Sequence, residues 1–237
     1  MSNSIYATIA RQDGLLKELQ VVANNIANTN TTGYKTDRAV FAEYLMTTGE
    51  NSPSLSIGGL AGHSFDLTQG TVKFTGGQFD FAIQGDGFFA VETDAGQRLT
   101  RAGAFQLSSE GELIAPDGAR VLSDGSTPIQ IPPEAENIQI AGDGTISASG
   151  GLIARIGVFN PDGQLQRDTD TRFIAEGGVQ QSETASVLQG ALEASNASPV
   201  LEVSRMIEVQ RAYEAGQTLM EQEHQRITQF ISTVRDR

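Results

Sequence analysis

The chain has no cysteine and no tryptophan among its 237 residues, and only two histidines. Without cysteine there is no disulfide, no thiolate metal site and no cysteine nucleophile. The lack also suits a chain that meets an oxidising compartment without using bridges. His63 and His224 lie far apart in the chain, so no histidine-based metal site is expected. There is no run of about 18 apolar residues, as a membrane-spanning helix would need. The opening MSNSIYATIARQ has no basic start followed by an apolar core, so it does not read as a cleavable secretory signal. Positive charge is scarce too. The formal net charge is −13, whereas a nucleic-acid surface wants a basic patch. Nucleic acid is therefore not an expected partner.

The acidity is uneven. Residues 1–48 hold four basic and four acidic groups, the last 52 residues hold five and seven, and the middle holds seven and eighteen. The middle reads as a solvated, mutually repelling exterior. The near-neutral ends are suited to packing against other protein.

Glycine and proline are nearly absent from both ends. Of 26 Gly, 22 lie between Gly49 and Gly178, with six of the seven Pro. Helix interiors avoid both residues, and short strands are punctuated by them. The chain therefore reads as helix, β-rich middle, helix. One helix is expected over about Ser4–Asn28, with Ile5, Ile9, Leu16, Leu19, Ala23 and Ile26 in one heptad frame and Gln12 as its polar exception. Another is expected over about Pro199–Val234. There Met206, Val209, Tyr213, Met220, Ile227, Phe230 and Val234 share a frame broken by Gly216 and Glu223. Both patterns approach the 3.5-residue repeat of a packed helical seam. Six or seven buried apolar residues at roughly 1.5–3 kcal/mol each do not offset ordering some 25 residues at about 1–2 kcal/mol each. The end helices should therefore pair with each other and with other molecules.

The middle alternates with period two. FDFAI places Phe79, Phe81 and Ile83 on one face, and LIARIGVF places Leu152, Ala154, Ile156 and Val158 on one face with Arg155 opposite. Asp86-Gly87, Asp117-Gly118, Asp124-Gly125, Asp143-Gly144 and Asp162-Gly163 supply tight-turn chemistry. The expected fold class is α+β: long N- and C-terminal helices forming a coiled-coil-like domain, with a central all-β domain of antiparallel sandwich or barrel-like form. The expected division is 1–32 for the first helix, 33–70 for an extended connector, 71–185 for the β domain and 186–237 for the last helix.

Catalytic signatures are missing. There is no G-x-S-x-G elbow, and Glu221 and Glu223, two apart on a helix, point away from each other. Gly85-Asp86-Gly87-Phe88-Phe89-Ala90 matches G-x-G-x-x-A, but a second strand follows it instead of a helix, so a hairpin is expected. The Asp-Gly pairs do not form a calcium-loop pattern. In NTNTTGYK the Asn and Thr side chains compete for backbone hydrogen bonds, and Gly33 is a candidate left-handed terminator just past the helix. Asn24, Asn25 and Asn28 either end the helix or bridge to neighbouring chains.

Three segments carry a resemblance. VVANNIANTNTTGYKTDRAVFAEYL, Val21 to Leu45, resembles the N-terminal signature of the flagellar rod and hook protein family. GALEASNASPVLEVSRMIEVQRAYEAGQTL, Gly190 to Leu219, resembles its C-terminal signature, and TGGQFDFAIQGDGFFAVETDAGQRLTRAGAFQLSSEGELIAPDGARVL resembles its β domain. The single β domain and the opening NSIYATIARQDGLLKELQVVANNIAN resemble proximal rod subunits more than distal ones. Gly216 stands where the family usually has Asn, and Ala197-Ser198-Pro199 replaces a Val-Asp-hydrophobic run.

The resemblance implies a non-enzymatic axial building block of the flagellar basal body, without cofactor. Copies would stack around a central channel, the terminal helices inside and the β domain outside, and transmit motor torque. It implies export by the flagellar type III apparatus, residence across the periplasm, and partners among its own copies and other rod subunits. The expected subunit-interface residues are Ile5, Ile9, Leu16, Leu19, Asn24, Asn25, Ile26, Asn28, Gly33 and Tyr34 at one end. At the other they are Met206, Ile207, Gln210, Arg211, Tyr213 and Met220. A secreted peptidoglycan hydrolase would need a catalytic carboxylate or metal constellation, and a secreted β-domain adhesin would lack the terminal signatures.

Overall fold

The computed structural model describes residues 2–46, 55–132, 134–135, 137–148 and 151–235. Helix α1 spans Ser2–Ala27 and stops where the Asn and Thr cluster begins. Helix α2 spans Pro199–Arg235. Pro199 occupies the first helical position, where a missing N–H is tolerated, and the Glu202 N–H donates to the Ser198 carbonyl at 3.0 Å. Two strands, β1 (Asp37–Met46) and β2 (Leu55–Phe65), lie in the stretch read from sequence as a connector and pair as a two-stranded sheet.

The chain divides into two compact units. One holds residues 1–27, 37–64 and 198–237, which are α1, nearly all of the β1–β2 sheet, and α2. The other holds residues 28–36 and 65–197.

The expected fold class needs correction. One N-terminal helix and one C-terminal helix flank a mostly β region, and they do not form a coiled-coil-like domain. In the helical unit α1 packs against α2 and also against β1. The strand comes so close that a Cβ on Gly14 would lie 3.0 Å from Phe41 Cε1. A helix covered from two sides does not bury a narrow heptad stripe. Gln12, Val21, Val22 and Asn25 are buried, while Ile9 and Leu16, from the expected seam, are 51% and 43% exposed.

In the β unit every strand pair with a described register is antiparallel. The largest sheet has nine strands. Its path runs Leu165–Thr169, Arg172–Ala175, Gly96–Thr100, Phe88–Thr93, Arg120–Val121, Leu113–Ile114, Gln106–Leu107, with Val158–Pro161 also pairing to Phe88–Thr93 and, on its other side, to Val179–Gln181. That central strand is buried on both faces. Phe89 and Val91 join a cluster with Phe81, Leu113, Ile146 and Ile156, and Phe88 and Ala90 join a second with Leu99, Phe159 and Phe173. Four of the five Asp-Gly glycines have positive φ; at Asp124-Gly125 that conformation passes to Ser126, φ 57.

Several local expectations shift. Phe88–Thr93 does continue as a strand after Gly85-Asp86-Gly87, but Phe81–Gln84 pairs with Ser186–Gln189. The turn is therefore a corner between sheets and not a hairpin. Ala82 is buried along with Phe81 and Ile83, so that strand does not alternate. Leu152 is 77% exposed. The register of Thr145–Ala148 against Gly151–Arg155 shifts between Ile146 and Ser147, and such a bulge turns side chains to the other face. Ile153 packs on the core in its place.

Candidate functional site

The helical unit holds most of the expected interface residues, and the structure sorts them. Ile5 lies on α1, but its side chain is outside the described residues. Leu19, Ile26, Met206, Tyr213 and Met220 are half-buried, and Asn24, Gln210 and Arg211 are exposed. Ile207 is exposed as well. Asn25 is buried, and its amide is used inside the chain. Its Nδ2 donates to the Asp37 carbonyl at 2.9 Å and to Glu202 Oε2 at 3.1 Å, and its Oδ1 accepts from the Asp37 N–H at 3.0 Å. Helix α1 is thus pinned to both β1 and α2. Arg205 adds a second link, with Nη2 2.8 Å from Glu18 Oε1.

Two of the three irregularities of the heptad frames, Gln12 and Gly216, meet each other. Gln12, 7% exposed, donates from Nε2 to the Tyr213 carbonyl at 3.0 Å. A Cβ on Gly216 would lie 2.1 Å from that nitrogen. Glycine, a poor residue in a helix interior, leaves the room that the buried amide fills.

In the β unit the segments GYKT and LEASN come together. Alternation places Ala191 and Glu193 inward, both fully buried. Glu193 Oε1 accepts from Lys35 Nζ at 2.5 Å and from the Gly70 N–H at 3.0 Å, and Oε2 accepts from Arg101 Nη1 at 3.0 Å. Lys35 also donates to the Thr68 carbonyl at 2.7 Å, and Arg101 to the Gly85 carbonyl at 2.8 Å. Burial pushes the Lys35 ammonium below the usual lysine range, and its hydrogen bond to Glu193 opposes that shift. A buried carboxylate needs such partners, because unpaired burial costs several kcal/mol.

Around this cluster, Gly33 donates to the Glu193 carbonyl at 2.8 Å. Its φ is 71°, and a Cβ there would sit 2.2 Å from the Ala102 nitrogen. Gly33 lies six residues past the end of α1, so its role is this close approach and not helix termination. Tyr34 is buried, with the Arg167 guanidinium 4.6 Å over its ring, and the same cation faces Phe65 and Phe173. The Asn28 side chain accepts from Thr31 Oγ1 at 2.9 Å. Lys35, Arg101, Glu193 and Asn196 were not among the expected site residues. The signal that could have found Glu193 is a carboxylate at an inward-facing position of an alternating strand. Its partners come from chain segments too distant for sequence spacing to pair. Among the described residues no three His, Asp or Glu side chains gather as a metal site would need. The geometry ties chain segments together.

Known proteins point the same way. The family description "Flagellar hook protein FlgE/F/G D1 domain" matches residues 82–148. "Flagellar basal body rod FlgEFG protein C-terminal" matches 188–233, and "Flagella basal body rod protein" matches 10–35. The chain is 37% identical over 233 residues to the flagellar basal-body rod protein FlgF of Caulobacter vibrioides, covering 93% of each. It is 34% identical to FlgF of Mesorhizobium japonicum, covering 99% of this chain and 98% of that one. FlgG of Bacillus subtilis is 31% identical over 93% of this chain and 94% of its own. Two terminal helices around a mostly β region, matched by these three descriptions in order, define a structural subunit of the flagellar axial apparatus. The chain belongs to the flagellar basal-body rod protein family, and among these relatives the similarity favours FlgF over FlgG.

Proposed function

We propose that the chain polymerises with its own copies and with other rod subunits into a hollow proximal segment of the rod, which carries torque from motor to hook. The role is mechanical, without catalysis or cofactor. Export through the flagellar type III apparatus without a cleaved signal, and residence across the periplasm, are part of this proposal, and the rod family's place in the basal body supports them.

The observation that carries this reading is the apolar surface left on both terminal helices. Ile9 and Leu16 on α1, and Val200, Leu201, Ile207, Leu219, Phe230 and Ile231 on α2, are exposed in the single chain. Such a surface marks an interaction site in a soluble protein. Subunit contacts would be made by these residues with Ile5, Leu19, Asn24, Ile26, Met206, Gln210, Arg211, Tyr213 and Met220. Asn25, Asn28, Gly33 and Tyr34 would hold the end of α1 and the segment after it.

The test is the double variant Leu201→Asp with Phe230→Asp, followed by sedimentation and electron microscopy of the purified chain and by motility of cells carrying it. The monomer should melt as the native protein does, since exposed substitutions usually change stability by less than about 0.5 kcal/mol. Polymers and motility should be lost. Native polymerisation by this variant would sink the assignment of these faces.

A further inference from the structure

The β unit is left and re-entered by the chain at residues 27/28, 36/37, 64/65 and 197/198. Three of these crossings are rooted in one side chain. Asn196 Oδ1 accepts from the Thr36 N–H at 2.8 Å and from Thr36 Oγ1 at 2.9 Å, while its Nδ2 donates to the Asp66 carbonyl at 2.8 Å and to the Thr68 carbonyl at 3.0 Å. The Asp66 N–H closes the ring by donating to the Thr36 carbonyl at 2.9 Å. Three residues away, Glu193 binds Lys35, Arg101 and the Gly70 N–H. The side chains of Lys35, Arg101 and Glu193 are 1%, 3% and 0% exposed.

Glu193 and Asn196 sit at the margin of the apolar core, which their cluster meets through Arg101, 5.3 Å over the Phe88 ring. What they join is the root of the N-terminal segment to the root of the C-terminal one. A pull between those roots meets charge-assisted bonds in a water-poor setting, where they are stronger than on a surface. The bonds tie residues 33–36 to residues 193–196, so a pull on the chain at the outer ends of these two segments loads them ahead of the strands that follow.

We propose that Glu193 and Asn196 form a tension clamp, which keeps force arriving through the terminal segments from reaching the β core. The biological meaning of the clamp rests on the torque-carrying role above; its existence does not.

The full chain has no native thiol, so Asn30→Cys and Val200→Cys, both at exposed positions, give specific handles for optical tweezers. The native chain should rupture in one cooperative event. Glu193→Gln and, separately, Asn196→Ala should each add an earlier, shorter event. At a fixed force that event should be about a hundredfold faster for Glu193→Gln, which leaves buried cations unpaired, and about tenfold faster for Asn196→Ala. The later rupture of the β core should stay native in force, while the chemical denaturation midpoint falls in both variants, because the cluster lies within the β unit. If both variants rupture as the native chain does, the clamp is refuted. If either variant also lowers the force of the later β-core rupture, the residues are ordinary parts of that core and the clamp is again refuted. A Glu193→Gln chain that does not fold at all refutes it in the same way. A clamp that holds in a chain that never polymerises would count against the rod assembly alone.

Discussion

The two units of this chain are stabilised in opposite ways. The β unit buries large apolar side chains on both faces of a central strand, and its turns are set by Asp-Gly pairs. Among its described residues the helical unit buries few apolar side chains. Among them are Val21, Val22 and Val209, supplemented by polar links at Gln12, Glu18 and Asn25. It keeps much of its apolar surface outward. A domain that must stand alone puts its hydrophobic residues inside. The helical unit leaves apolar side chains outside and uses hydrogen bonds to hold its own geometry, as the proposed assembly would require.

The contrast can be broken from the β side first. Phe89→Ala, at a fully buried position, should cost about 3–5 kcal/mol and remove the β unit's melting transition, read by near-ultraviolet circular dichroism. Gly33→Ala meets backbone at 2.2 Å with φ of 71°. It should cost about 3 kcal/mol, visible as a lower denaturation midpoint of the β unit. In the helical unit, Asn25→Ala strands the Asp37 N–H and Glu202. It should cost about 2 kcal/mol, and hydrogen exchange should rise in α1 and β1 while the β unit keeps its protection.

Acid sharpens the comparison within the β unit. The Asp117 carboxyl is raised by partial burial, but the hydrogen bond and charge of Arg172 outweigh that and hold it below the ordinary value. Hydrogen bonds from Thr145 hold the Asp143 carboxyl below it too. A carboxylate whose folded pKa is depressed stabilises the fold above its unfolded pKa, about 3.9, and the contribution is lost as pH falls through the lowered value. Melting temperature should therefore be flat from neutrality to about pH 5 for these groups and fall below about pH 4. In Asp117→Asn the acid-side fall should be shallower; an unchanged slope would remove Asp117 from the account.

The smallest effect is expected at Gly216→Ala. The new methyl displaces the Gln12 amide from the Tyr213 carbonyl, but alanine improves the helix by about 1 kcal/mol. Net stability should change by less than about 1 kcal/mol, while hydrogen exchange near Tyr213 should show the displaced amide.

Local chemistry made some of this legible from the chain alone. Glycine and proline avoid helices, and their distribution marked two long end helices around a strand-rich middle; the bounds of α1 and α2 fall within two residues of those expected. Pro199 and the Asn-Thr cluster act on their own neighbours, so they mark ends without tertiary help. The signature segments sufficed for the family. Other features depended on partners the chain order does not display. The heptad frame of α1 was misleading because β1 covers the helix from a second side. Leu152 turned outward because a bulge shifted its strand by one residue. Gly33 read as a helix stop because its contact, the backbone of Arg101 and Ala102, is remote in sequence.

Residue order by itself determined which segments are helical, where the turns fall and which family the chain joins, because propensity, capping and turn chemistry act within a few residues. Only the tertiary structure decided which apolar side chains stay exposed and that Lys35, Arg101 and Glu193 form one buried cluster. Burial and ion pairing depend on what lies opposite in space, and here the opposing groups are up to 158 positions apart.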